Sequence, residues 1–152
     1  MERIASFTVD HTKLERGIYL SRVDGDCLTF DLRMKKPNTG DVLETDALHT
    51  IEHIGATYLR NSRYGQQIIY FGPMGCRTGF YLVTRELGGQ ELCDLVVETF
   101  AFIADYEGEI PGNSPVECGN YRDLNLEKAK IQASRYLEAI EGYTSDRLEY
   151  QK

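Results

Sequence analysis

A chain of 152 residues, 41% hydrophobic and 27% charged, is long enough to bury one sizeable core and is read as a single domain over 1–152. Its net charge of -7 leaves no basic stripe for a phosphate backbone, which excludes nucleic acid as a partner. No apolar run approaches the roughly 20 residues of a bilayer span, and Met1-Glu2-Arg3-Ile4 opens no signal-peptide core, so no membrane partner and a cytoplasmic protein with reduced cysteines are expected.

In chain order, Ile18 to Val23 and Cys27 to Met34 read as strands joined across Asp24-Gly25. Leu28, Phe30 and Leu32 alternate with Thr29, Asp31 and Arg33, the pattern of a hairpin with one buried face. Leu48, Ile51, Tyr58 and Leu59 recur at helical spacing, with Thr45 or Asp46 placed to cap the helix start. Gln67 to Phe71 and Gly79 to Thr84 form two further strands, separated by the loop Gly72-Pro73-Met74-Gly75-Cys76-Arg77-Thr78. A second helix starts near Gly89 and turns Leu92, Val96, Phe100 and Ile103 inward; Glu109 to Asn120 is a long loop. A third helix, Leu126 to Ile140, places Ala129, Ala133, Leu137 and Ile140 on its inner face, and 142–152 is a frayed tail or a short terminal helix. Strands in local pairs, not alternating with helices, give an α+β class: an antiparallel sheet packed against helices.

The chemistry centres on His49-Thr50-Ile51-Glu52-His53, which contains two of the three histidines. Residues four apart on a helix project from one face, so His49 and His53 suit one divalent ion while Glu52 reaches a ligand held beside it. The bland alternative is a solvated helix whose histidines serve neighbouring polar groups. Two histidines under-coordinate a metal, and a third donor must come from His11, a cysteine or a carboxylate. Cys118 is the best of these, since the turn-rich stretch after Pro111, Gly112 and Pro115 delivers a thiolate from a loop and leaves the fourth position open. Cys76, flanked by Gly75 and Gly79, is either an exposed reactive thiol or a small residue filling a strand end. Cys27 and Cys93 fit packing roles. His11 reads by default as a hydrogen-bonded structural histidine, and Arg33 and Arg60 as either solvated guanidiniums or partners for hydroxyl or carboxylate groups.

Taken together, Ser6-Phe7 with Asp10-His11, Phe30-Asp31-Leu32-Arg33 with Pro37-Asn38, His49 to His53, Pro73-Met74-Gly75-Cys76-Arg77-Thr78-Gly79 and Glu117-Cys118-Gly119 form five ordered blocks. In these blocks the chain resembles the S-ribosylhomocysteine lyases of the LuxS family, nearly end to end. The resemblance implies that His49, His53 and Cys118 hold one divalent metal per subunit, with iron(II) native and zinc a stand-in. It also implies that Glu52 and Cys76 are an acid/base pair, and that Ser6, His11, Arg33 and Arg60 line the pocket for S-ribosylhomocysteine. A homodimer with its sites at the subunit interface follows from the same likeness, as does synthesis of the precursor of the autoinducer-2 quorum signal. One departure is Tyr70-Phe71-Gly72, where many relatives carry an acidic residue and a serine. Two rivals remain: a metallohydrolase, since H-x-x-E-H also occurs in inverted zinc peptidases, and a non-enzymatic metal-binding module.

Overall fold

The computed structural model describes residues 1–151, with elements in the order β1 (Gly17–Asp24), β2 (Cys27–Arg33), α1 (Thr45–Asn61), β3 (Ile68–Pro73), β4 (Gly79–Arg85), α2 (Gly89–Ala104) and α3 (Leu126–Ile140). The four strands form one antiparallel sheet in the order β1-β2-β4-β3, so the expected α+β class holds. Two hairpins supply the outer pairings, and β2 meets β4 across the middle.

One face of the sheet carries Ile18, Phe30, Leu32, Phe71, Phe80 and Leu82 into a core shared with Ile51, Ile54, Leu92, Val96 and Phe100 of the helices. Strand alternation and helical spacing put these apolar sets opposite each other, and burying a side chain of this size contributes about 1.5–3 kcal/mol. Close approach of α1 to β3 depends on Gly55, where an added Cβ would lie 2.5 Å from the Phe71 ring. Gly79 is needed for a similar reason, since a Cβ there would meet the Leu32 carbonyl oxygen at 2.1 Å.

The second sheet face departs from the hairpin-with-one-buried-face reading. Asp31 and Arg33 are 1% and 3% exposed, although they alternate with the core residues. The cause is the C-terminal segment, where the short terminal helix is the alternative that holds. It makes a single 3-10 turn at Ser145–Arg147, anchors Leu148 through the Leu20 amide, and stacks Tyr150 on Tyr19 at 4.9 Å. Tyr150 then donates to Asp31 Oδ2 at 2.7 Å, closing this end of the face.

Three smaller expectations are also corrected. The first hairpin turns across Gly25-Asp26, with Asp24 and Cys27 paired and Gly25 in the left-handed region. Neither Thr45 nor Asp46 caps α1: Glu44 holds the cap position without a side-chain bond, and the Thr45 hydroxyl donates to Asp123 instead. On α3 the large side chain buried on the inner face is Tyr136 and not Leu137, because the Tyr136 ring packs on Phe100 while its hydroxyl reaches the Gly17 carbonyl at 2.7 Å.

Candidate active site

Helix α1 and the connection from α2 to α3 build the metal-binding candidate together. His49 and His53 lie one turn apart on α1, half-buried, with ring centroids 4.6 Å apart. The connection crosses their face. Asn125 caps α3 by accepting from the Lys128 amide, and its own amide donates to the Thr50 hydroxyl at 2.8 Å. Lys128 pairs with Glu44 and Asp46, so the end of the connection is tied to the start of α1. This tether sets the Asp123 carbonyl 2.8 Å from His49 Nδ1, and the Pro111 carbonyl lies 2.7 Å from His53 Nδ1.

Those two contacts decide the tautomers. A carbonyl oxygen only accepts, so each Nδ1 carries the proton and each Nε2 presents a lone pair. Metal-ligating histidines are oriented by this same kind of outer hydrogen bond. Cys118 Sγ lies 3.4 Å from His49 Nε2, and the donor atoms of His49, His53 and Cys118 all fall within 4.8 Å of one another. The Asn120 amide donates to the sulfur from 3.4 Å and helps fix its position. Gly112, at φ +71, fits close to His53, where a Cβ would sit 3.1 Å from Nδ1. Among the described residues no fourth histidine, cysteine or carboxylate completes the group. Three donors with one side free fit a single divalent ion.

Glu52 lies between the two histidines, half-buried, on a cavity of about 560 Å³ shared with His53, Arg60, Tyr70 and Glu117. Arg60 is exposed and directs Nη2 to the Ile69 carbonyl at 2.9 Å, so α1 is pinned to β3 beside the cavity. Tyr70 is the wall between this cavity and a hollow of about 350 Å³ on the second sheet face, where Ser6 lies with Tyr81 and Val83.

Cys76 belongs to a different cluster. It is exposed in the turn between β3 and β4, which is closed by Met74 bonding to both Arg77 and Gly79. The flanking glycines do not supply the unusual backbone here; Arg77 does, at φ 62. Sγ lies 3.1 Å from the Thr78 hydroxyl, which also takes a bond from Arg33 Nη1 at 2.7 Å. Arg33 is not a free pocket cation, because Asp31 holds Nε and Nη2 at 3.1 and 2.6 Å. Partial burial pushes the Cys76 thiol up, but bonds from the Thr78 side chain and backbone and the Arg33 charge outweigh it, leaving the thiol below its ordinary value. Cys93 shows the opposite balance, since full burial in α2 pushes it up to about 11. Cys27 is half-buried, its thiol turned toward Asp26.

The structure therefore gathers His49, His53, Cys118 and Glu52 in one place and Cys76 with Arg33 in another. His11 sits in the segment before β1, its Nδ1 2.9 Å from the Val9 carbonyl. Among the described residues no hydrogen bond or shared cavity links Cys76, Ser6 or His11 to the His/His/Cys group. Sequence reading missed Thr78, Asp31 and Tyr150; an acid and a base two apart on one strand face signalled the Asp31 and Arg33 pair, but nothing local signalled Tyr150.

Two imidazoles and a cysteine sulfur within 4.8 Å of one another form a group that could hold one divalent ion, the class of site a small metalloprotein presents. The family model described as S-Ribosylhomocysteinase (LuxS) matches residues 4–146. The chain belongs to that family. It is 50% identical over 157 aligned residues to the S-ribosylhomocysteine lyase of Desulfotalea psychrophila, which covers 99% of each chain. The S-ribosylhomocysteine lyase of Phocaeicola vulgatus is also 50% identical, over 99% of this chain and 98% of its own. That of Clostridium acetobutylicum is 47% identical over 99% of both.

Proposed function

We propose that this chain is a metal-dependent carbon-sulfur lyase that cleaves S-ribosyl-L-homocysteine to L-homocysteine and 4,5-dihydroxy-2,3-pentanedione, the autoinducer-2 precursor. The observation that carries the reading is the tautomer-locked pair of imidazoles facing Cys118, with Glu52 on the cavity beside them. His49, His53 and Cys118 would hold one divalent ion, iron(II) natively and zinc as a substitute, both compatible with imidazole and thiolate donors. When bound, such an ion supplies Lewis-acid polarisation of the sugar oxygens.

The remaining work is proton transfer. The ribose carbonyl must migrate from C1 through C2 to C3 before the proton at C4 becomes acidic enough for loss of the sulfur at C5. Each migration takes a proton from one carbon and returns one to its neighbour, with no net oxidation. The final step breaks the C4–H and C5–S bonds, forms the C4–C5 double bond of an enol, and protonates the leaving thiolate; the enol then gives the dione. Glu52 accepts and returns protons from the helix side of the substrate, a task suited to a carboxylate within reach of the reacting carbons and oxygens. Cys76, with its thiol pKa lowered, serves as the second acid/base group. Ser6, His11, Arg33 and Arg60 line or frame the pocket for the sugar and its amino-acid tail.

Cys76 stands apart from the His/His/Cys group within one chain, so the working site is completed by a second copy in a homodimer. The sheet face opposite the helices supports this, because it carries Tyr70, 50% exposed, and shares a hollow with exposed Ile4. Among the described residues no helix is long and apolar enough to cross a membrane. A cytoplasmic location, with no nucleic-acid partner, fits the acidic composition. The test is release of free thiol from S-ribosylhomocysteine by the metal-loaded protein, its loss on chelation and its return with iron(II). Peptide hydrolysis without thiol release would overturn the lyase reading.

A further inference from the structure

Thr78 and Arg33 have an unequal relation. Guanidinium nitrogens only donate, so in the 2.7 Å contact between Arg33 Nη1 and Thr78 Oγ1 the hydroxyl oxygen is the acceptor. The one hydroxyl hydrogen of Thr78 is then free to point at Cys76 Sγ, 3.1 Å away. With that hydrogen directed at it the sulfur accepts, an arrangement that favours its ionised form. Arg33 cannot rotate out of this arrangement, since Asp31 grips Nε and Nη2 in a fork. Asp31 is fixed in turn by the Tyr150 hydroxyl, whose ring is stacked on Tyr19 at an interplanar angle of 13°. The other titratable group facing Cys76 is Tyr81 of β4, which burial pushes up and keeps neutral.

We propose that Thr78 is a positioning residue that presents a fixed hydroxyl donor to the Cys76 sulfur, and that Tyr150, near the end of the chain, locks this donor through Asp31 and Arg33. The two ends are far apart in sequence and meet only in the folded sheet. The inference deepens the assignment of Cys76 as an acid/base group and rests on that reading for its bearing on turnover. Without a locked donor the thiol would titrate higher, and a smaller fraction would be ionised at neutral pH.

The test is the pH profile of Cys76 alkylation by iodoacetamide in the full-length, metal-loaded protein, followed on the peptide that contains Cys76. Thr78→Val, which keeps the shape and removes the hydroxyl, should raise the midpoint by about one pH unit, a tenfold smaller thiolate fraction below both midpoints. Thr78→Ser should return the profile to that of the wild type. Tyr150→Phe should move it in the same direction as valine, at least twofold in thiolate fraction at pH 7. A Thr78→Val profile superimposed on the wild type would overturn the donor role, and an unshifted Tyr150→Phe would overturn the lock. Thr78 is 5% exposed, and Thr78→Ala reads the same loss if the valine variant does not fold. The readout is modification, not turnover: a fully active Cys76→Ala would remove the catalytic reading and leave the alkylation profiles to decide the positioning of the sulfur.

Discussion

At the scale of single residues, what separates the four cysteines is their surroundings. Cys118 faces an imidazole nitrogen and a backbone amide, Cys76 a hydroxyl linked to a guanidinium, Cys93 is fully buried in the core, and Cys27 faces an exposed carboxylate. Replacing His49, His53 or Cys118 with alanine is expected to remove most bound metal, because two donors hold a tetrahedral ion poorly. Metal analysis of the purified variants checks this, and near-stoichiometric metal in Cys118→Ala would end the ligand assignment. Cys93→Ala should keep its metal and lose roughly 1 kcal/mol of stability through the small cavity left in α2. The buried Asp31 and Arg33 pair carries a larger penalty when broken from one side. Asp31→Ala leaves a guanidinium uncompensated and should cost about 3–5 kcal/mol in urea unfolding, whereas surface pairs such as Arg63 with Glu98 should cost under about 1 kcal/mol.

At the scale of elements, Gly55 decides how closely α1 can lie on β3, and therefore where His49 and His53 sit over the cavity. Gly55→Ala forces the Phe71 ring to move from a packed position and is expected to destabilise by about 1–3 kcal/mol, read as a lower melting temperature. The strands and helices were legible in the sequence because their patterns agree with their burial: Leu92, Val96, Phe100 and Ile103 are all buried as their spacing requires. The His49, Glu52 and His53 face was legible for the same reason. The start of α1 was not, since Thr45 and Asp46 are good capping residues that bond across to Asp123 and Lys128 instead. The burial of Arg33 was not legible because Tyr150, which closes over its partner Asp31, lies at the far end of the chain, and a contact of that separation leaves no local trace. The flanking glycines of Cys76 pointed to a tight turn correctly, but the residue that takes the left-handed conformation is Arg77.

At the scale of the whole molecule, burial of titrating groups sets an alkaline limit on stability. Burial raises Cys93 from 9.0 to about 11 and Tyr19 from 10.0 to about 12, so the fold holds these protons more tightly than the unfolded chain does. Stability from a raised group is fully present below its unfolded value and is lost as pH rises through its folded value. Melting temperature should therefore hold steady up to pH 9 and fall between pH 9 and 12; a flat profile across that window would contradict the burial of both groups. The separation of Cys76 from the metal donors also makes a statement about assembly. On that reading Glu52 and Cys76 of one site come from different copies, so mixing Glu52→Gln with Cys76→Ala should restore part of the activity by subunit exchange, and a strictly monomeric, fully active protein in light scattering would exclude a shared site. The central claim is that binding the ion and moving the protons belong to different residues. Its most direct test is thiol release from S-ribosylhomocysteine by metal-replete Glu52→Gln and Cys76→Ala. Each is expected to keep its full metal content and to lose turnover by roughly a hundredfold or more. Wild-type release by both variants would contradict the account.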